Sequence, residues 1–228
     1  MRLLSVLMGV LISSVSQGFD HSHSLWDGEL KKHLNQDGLV HYNQWSKSAS
    51  PLDKYLKDLS AVKKSTFNKW TVPQQKAFLV NAYNAFTIKL ILKNYPVKSI
   101  KKIGGFFTKP WSIEFFNLLG GEITSLDPIE HVWLRGKKEY KDPRIHAAVN
   151  CASISCPQLL NEAFVADKID KQLDTASHAW VSDPRRNEFD RSKGLLRLSK
   201  IFSWFEDDFG GDDQGVIEFL IKYSSDDL

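Results

Sequence analysis

The stretch DPRIHAAVNCASISCPQLL, Asp142 to Leu160, holds both cysteines of the chain and one of its seven histidines. A thiolate is a nucleophile and an imidazole carries protons, so Cys and His brought together can perform acyl transfer or thiol exchange. Read as a buried strand, residues 144–151 alternate. Arg144, His146, Ala148 and Asn150 then share one face, and Cys151 lies on the other. Cys156 stands beyond the strand, directly before Pro157, and proline favours the first turn of a helix. Cys156 is therefore expected at a helix start, where free amide donors and the helix dipole favour a thiolate. The intervening loop lets it fold back toward His146. A third group must accept the other imidazole proton. Glu130, Asp142 and Asn150 are the candidates. Asp142 suits the turn before Pro143, so Glu130, at the edge of an apolar helical stripe, is preferred.

Other readings of the same residues stay open. A Cys-x4-Cys pair in an exported chain can simply be a disulfide. It would close a very small loop, where the entropic gain is least, so a reversible bond fits better than a staple. His146 alone could be a core histidine. Structural zinc needs four closely spaced ligands. Cys151, Cys156, His146 and the remote His131 do not form such a set, so neither a metal nor another cofactor is expected. HSHS at 21–24 reads as loop. There is no Gly-x-Ser-x-Gly elbow and no phosphate loop.

The elements that must position these groups read mainly as helices. Leu25, Trp26, Leu30 and Leu34 have helical spacing, and DGLVHYNQW reads as a turn and a short extended piece. Ser50, Pro51 and Asp53 open a helix that buries Leu52, Tyr55, Leu56 and Leu59. A longer helix is expected from about Pro73 to Asn94, apolar nearly all round and hence central. Asn81 and Asn84 share one of its faces. Two buried amides without partners would cost several kcal/mol, so they must brace a loop or serve a site. EFFNLLGGEITSL and NEFDRSKGLLRLS read as hairpins. SLDPIEHVWLRG is a short helix burying Ile129, Val132 and Trp133, and helices are expected at CPQLLNEAF, DKIDKQLDTASHAWVSDP and the two closing segments. No linker divides the chain. The expected fold is α+β, a mostly helical single domain with a small antiparallel sheet, over residues 19–228.

Composition sets outer bounds. A 228-residue chain with 42% hydrophobic residues can bury a sizeable core. A net charge of +3 without a basic stripe excludes a nucleic-acid footprint, and the paired lysines, Lys101-Lys102 among them, read as solvated surface. Residues 1–18 combine one positive charge, an apolar run and small residues, the layout of a secretory leader. That run is too short to span a bilayer. A periplasmic or secreted protein without membrane insertion is expected, in a compartment that permits disulfides.

Five segments in order, FLVNAYNAFTIKLIL, SLDPIEHVWLR, DPRIHAAVNCASISCPQL, VSDPRRNEF and LSKIFSWFEDDFG, resemble the family labelled domain of unknown function 547. The resemblance runs from about Trp26 to Gly210. It implies Asn81, Asn84, Glu130, His131, Arg144, His146, Cys151 and Cys156 as the family's characteristic positions, and relatives joined to glutaredoxin-like domains. The Cys-His layout is also distantly similar to papain-like and transglutaminase-like thiol enzymes, with the order of residues permuted.

The function expected is an exported thiol-dependent hydrolase or acyl or amide transferase acting on peptide or γ-glutamyl-type amides. Cys156 would be the nucleophile, His146 the base and Glu130 its orienting acid. Asn81, Asn84, Arg144, Cys151 and His131 would support the site or bind substrate. A thiol-redox or thiol-ligand (glutathione-like) binding protein using Cys151 and Cys156 is the second reading, and a non-catalytic binding module the third. The partner expected is a small peptide, amide or thiol-containing ligand, with room for a protein partner.

Overall fold

A computed structural model describes residues 18–105, 107–153, 156–190 and 192–225. The expected leader lies, Gly18 apart, outside them. In chain order the helices are α1 (Ser24–His33), α2 (Tyr42–Trp45), α3 (Ser50–Ser60), α4 (Lys64–Phe67), α5 (Val72–Lys93), α6 (Ile145–Ala148), α7 (Ile169–Val181), α8 (Lys200–Trp204) and α9 (Asp213–Tyr223). Strands β1 (Glu188–Asp190) and β2 (Leu195–Arg197) pair antiparallel, with Phe189 opposite Leu196. The fold is thus α+β, mostly helical, with one two-stranded sheet. No helix among the described residues is long and apolar enough to cross a membrane.

Helix α5 is the axis of the larger core. Thr71 caps it, and Gln74 returns the bond to the Thr71 backbone, so the first turn is closed reciprocally. Its sides are buried nearly all round, as its unbroken apolar sequence requires. Helix α3 packs on it and α1 packs on α3, with the faces expected, including Trp26, Leu30, Leu52, Tyr55, Leu56 and Leu59. A second, smaller core gathers Trp180, Phe202, Phe209, Phe219 and Tyr223 from the C-terminal elements, and Ala147 of α6 joins it. Leu160 packs against both cores.

Several local expectations change. Residues 145–148 form a helical turn, not a strand. The Asp142-Pro143 turn feeds three successive i→i+3 bonds: Ile145 N–H to Asp142 O, His146 N–H to Pro143 O and Ala147 N–H to Arg144 O. Once that turn is nucleated it continues, and a short run buried on all sides gives no periodicity to distinguish helix from strand. CPQLLNEAF is irregular and not helical. EFFNLLGGEITSL makes a single bridge, Leu118 to Ile123, and DGLVHYNQW another, Leu34 to Val40, before α2. Residues Pro128–Leu134 form a π-helical turn. Its i→i+5 bond, Arg135 N–H to Glu130 O, widens the coil, so residues four and five apart align. Ile129, Trp133 and Leu134 are therefore inside, and Val132 is outside at 58% exposure.

The irregular stretch 148–165 is held by side chains instead of a ladder. Asn84 donates to Ala148 O and accepts from Asn150 N–H, each at 2.8 Å. Asn81 does the same for Phe164, donating at 2.7 Å and accepting at 3.0 Å. Gln172 donates to Ala163 O at 2.8 Å and accepts from Val165 N–H at 2.9 Å, while Asp27 accepts from Ala163 N–H. Each clamp satisfies backbone groups that a helix would have paired internally. Asn81 and Asn84 thus brace loops.

At the N-terminal edge His23 is buried and bonded through Nδ1 to the Tyr55 hydroxyl at 2.6 Å. Burial, and then the neighbouring His21, depress its pKa to about 4 against the partial opposition of Asp20.

Replacing Asn81 by Ala strands the Phe164 N–H and C=O in the core. The expected loss is about 3 kcal/mol, or roughly 6–12 °C in Tm for a chain of this size, read by thermal denaturation. The depressed His23 pKa makes its contribution complete above the unfolded value of 6.5 and lost as pH falls toward about 4. Stability of the wild-type chain should therefore decline across that window in urea titrations, and His23→Gln should flatten the decline.

Candidate functional site

The chemistry-bearing segment begins at the Asp142 turn. Asp142 accepts from the Arg144 backbone N–H and grips its guanidinium at 2.8 and 3.0 Å. Arg144 also reaches Asp170 and Asp174 on α7, each at 2.9 Å. It fastens α6 to α7 and is fully occupied in doing so. This fastening sets α6 between the two cores, with His146 only 2% exposed.

His146 Nε2 bonds Asp208 Oδ2 at 2.7 Å, across 62 residues of sequence. The same carboxylate oxygen accepts from Arg135 Nε. Burial alone would raise the Asp208 pKa, but the bonds from His146 and Arg135 outweigh it and hold the carboxyl at about 2. Asp208 is therefore an acceptor at neutral pH, which makes Nε2 the protonated nitrogen of His146. The imidazole stacks on Phe205 with centroids 4.5 Å apart, and Arg135 covers the same ring at 4.4 Å. Arg135 continues the chain to His131 Nδ1 at 3.0 Å. The acid that meets His146 is thus Asp208. Glu130, expected in that place, instead lies beside the Tyr83 phenol on the cleft lining. Burial, then the Glu130 charge, push the Tyr83 pKa far up, so the phenol stays protonated.

Cys151 and Cys156 form a disulfide, with Cα atoms 6.1 Å apart. Asn150 shapes the loop between them: its side chain accepts from Ala152 N–H and donates to Pro157 O. Arg186, itself paired with Asp183, donates to Cys156 O. The two sulfurs are not equivalent. Cys156 is buried, at 1% exposure, whereas Cys151 is half-buried. No helix begins after Cys156, so the helix-start activation expected for its thiolate is not available.

Cys151 and His146 line one cleft of about 490 Å³ between the two cores. Tyr83, Glu130, His131, Ile201, Trp204 and Phe205 line it as well. The turn Pro110–Ser112 adds Trp111 and is tied to the π-helical turn by the Ser112 hydroxyl, which donates to Asp127.

Of the residues expected to act, His146, Glu130, His131 and Cys151 meet at this cleft, with His131 exposed at its edge. Cys156 contributes from beneath through its bond to Cys151. Asn81, Asn84 and Arg144 hold the scaffold. Local sequence does not mark Tyr83, Arg135, Asp208, Lys101 or Lys109 as site residues. Asp208 sits in the acidic run EDDF, where nothing local separates it from Glu206 and Asp207. The one signal was the inclusion of that run in the family-like segment LSKIFSWFEDDFG. Among the described residues no group of three or more His, Cys, Asp or Glu side chains is arranged to hold a metal ion.

Comparison with curated proteins and with solved structures returns no match, so the likeness to papain-like and transglutaminase-like enzymes draws no support from them. A family model described as protein of unknown function, DUF547, matches residues 67–181, half of the chain and all of the segment that carries His146 and both sulfurs. The chain belongs to the DUF547 family.

Proposed function

We propose that the protein performs thiol–disulfide exchange at Cys151 with a small thiol or a cysteine-bearing peptide, with His146 as the proton carrier. The observation that carries this reading is the asymmetry of the disulfide: one of its cysteines, Cys151, lines a cleft shared with an oriented imidazole, and the other, Cys156, is buried and does not. Attack on a disulfide requires a thiolate and access to one sulfur. Only Cys151 offers that access from the cleft. An exported, oxidising setting, as the leader suggests, suits a chain that rests with this bond closed.

The exchange balances as follows. With Nε2–H committed to Asp208, His146 Nδ1 is the basic nitrogen, and it accepts the proton of the incoming thiol. The new thiolate attacks Cys151 Sγ, the bond to Cys156 Sγ breaks, and its electron pair leaves on Cys156. The imidazolium proton neutralises that thiolate. The product is a mixed disulfide on Cys151 and a thiol at Cys156. A second thiol attacking the mixed disulfide would release an external disulfide and leave both cysteines reduced. Asp208 stabilises the imidazolium stage and holds the ring in one tautomer. Arg135 keeps Asp208 ionised.

A second reading, amide hydrolysis or transfer, is favoured by the His146–Asp208 pair alone, an imidazole–carboxylate arrangement common to acyl transfer. It would require prior reduction and would use Cys151, the sulfur at the cleft, in place of Cys156. Turnover of an amide that appears only in reduced protein would favour it over exchange.

Cys156→Ser should trap a mixed disulfide on Cys151 when treated with an external disulfide, visible as a mass increase of one thiol adduct. Cys151→Ser should trap far less. Equal trapping on the two sulfurs would overturn the assignment. Asp208→Asn should slow exchange by about 10²-fold and alter its pH profile, while a melting curve close to wild type would show that the effect is on His146 and not on folding.

A further inference from the structure

We propose that the wall of the cleft carrying Lys101, Lys109 and Trp111 is an anion subsite, so that the thiol partner bears a carboxylate. The inference deepens, and rests on, the exchange reading above. Lys101 belongs to the turn Ile100–Lys102 and Trp111 to the turn Pro110–Ser112, which Lys109 directly precedes; the two turns pack together. All three side chains line the same cleft as Cys151 and His146.

The charges of this cleft divide into paired and unpaired. Glu130 lies beside the protonated Tyr83 phenol, Asp127 accepts from Ser112 and lies 4.0 Å from His131, and Arg135 is bound to Asp208. Neither ammonium, of Lys101 or of Lys109, meets a carboxylate among the described residues. Trp111 Nε1 is a buried donor that finds no acceptor among the described residues. A buried indole N–H without an acceptor costs about 1–3 kcal/mol, so an acceptor atom delivered by a ligand is favoured there. Two positive charges and one N–H donor on a single wall match the oxygens of a carboxylate. A sulfur at Cys151 and a carboxylate at this wall describe a short acidic thiol or a peptide with an acidic end. A thiol with an ammonium group would meet repulsion from the same two lysines.

The test uses the full-length oxidised protein and three small thiols: 3-mercaptopropionate, 2-mercaptoethanol and cysteamine. Rates of thiol incorporation are measured for wild type and for the Lys101→Met/Lys109→Met double variant. Both lysines are exposed, so the variant should fold, which a melting curve checks. The ratio of 3-mercaptopropionate rate to cysteamine rate should fall about tenfold in the variant, as expected for two partly screened charge contacts. In wild type the ratio should also shrink as salt rises. An unchanged ratio would overturn the anion subsite and leave exchange standing. If no thiol reacts with either protein, exchange itself has failed. The subsite is then decided by tryptophan fluorescence titration with 3-(methylthio)propionate and its methyl ester. Tighter binding of the acid that disappears in the double variant supports the subsite, and equal binding of acid and ester overturns it.

Discussion

Buried side-chain amides on α5 govern the shape of the segment that carries the chemistry. Asn84 takes both polar groups flanking Val149, and Asn81 takes both polar groups of Phe164. Between these two fixed points the described residues form no ladder and no helix, so their course is set by what the amides accept and donate. Asn150 repeats the device one step outward, on Ala152 and Pro157, and so shapes the loop that closes the disulfide. Three amides in succession therefore transmit the rigidity of a 22-residue helix to two sulfur atoms. A group bonded in this way is satisfied without water, which is why so irregular a segment can lie against the core.

The second constraint runs across the cleft. Asp208, on the turn Glu206–Phe209, accepts from both His146 and Arg135, and both of these pack on the ring of Phe205. The imidazole is thereby fixed by a charged hydrogen bond in its plane and by a ring against its face. Arg144 supplies the complementary anchor on the other side of α6, through Asp142, Asp170 and Asp174. With one end of the turn fastened to α7 and its middle fastened to the C-terminal turn, His146 has little freedom to leave its place.

What could be read from the residues alone was local. The α1 and α3 faces, the extent of α5, and the hairpin over 188–197 all follow from spacing and turn chemistry within one element. The strand expected over 144–151 is not formed because every side chain from Ile145 to Ala148 is buried, which erases the period that separates strand from helix. The helix assigned after Pro157 failed because its backbone bonds go to Asn150, Asn81, Asp27 and Gln172, residues far apart in sequence. The partner of His146 was hidden for the same reason. A carboxylate becomes an orienting acid only when tertiary structure delivers it, and neither Glu130 nor Asp208 announces that delivery in its own neighbourhood. Asn81 and Asn84 are the counter-example: two polar residues in an apolar helix had to have partners, although which atoms they met was a matter for the fold.

The segment shared with the DUF547 model ends at residue 181, yet Trp204, Phe205 and Asp208 lie beyond it. A fragment trimmed to that match would keep the imidazole and both sulfurs while losing the carboxylate that fixes the ring and three residues that line the groove, Ile201, Trp204 and Phe205. Kinship and working unit therefore have different borders in this polypeptide, and an excised piece inert in solution would say little about the intact molecule.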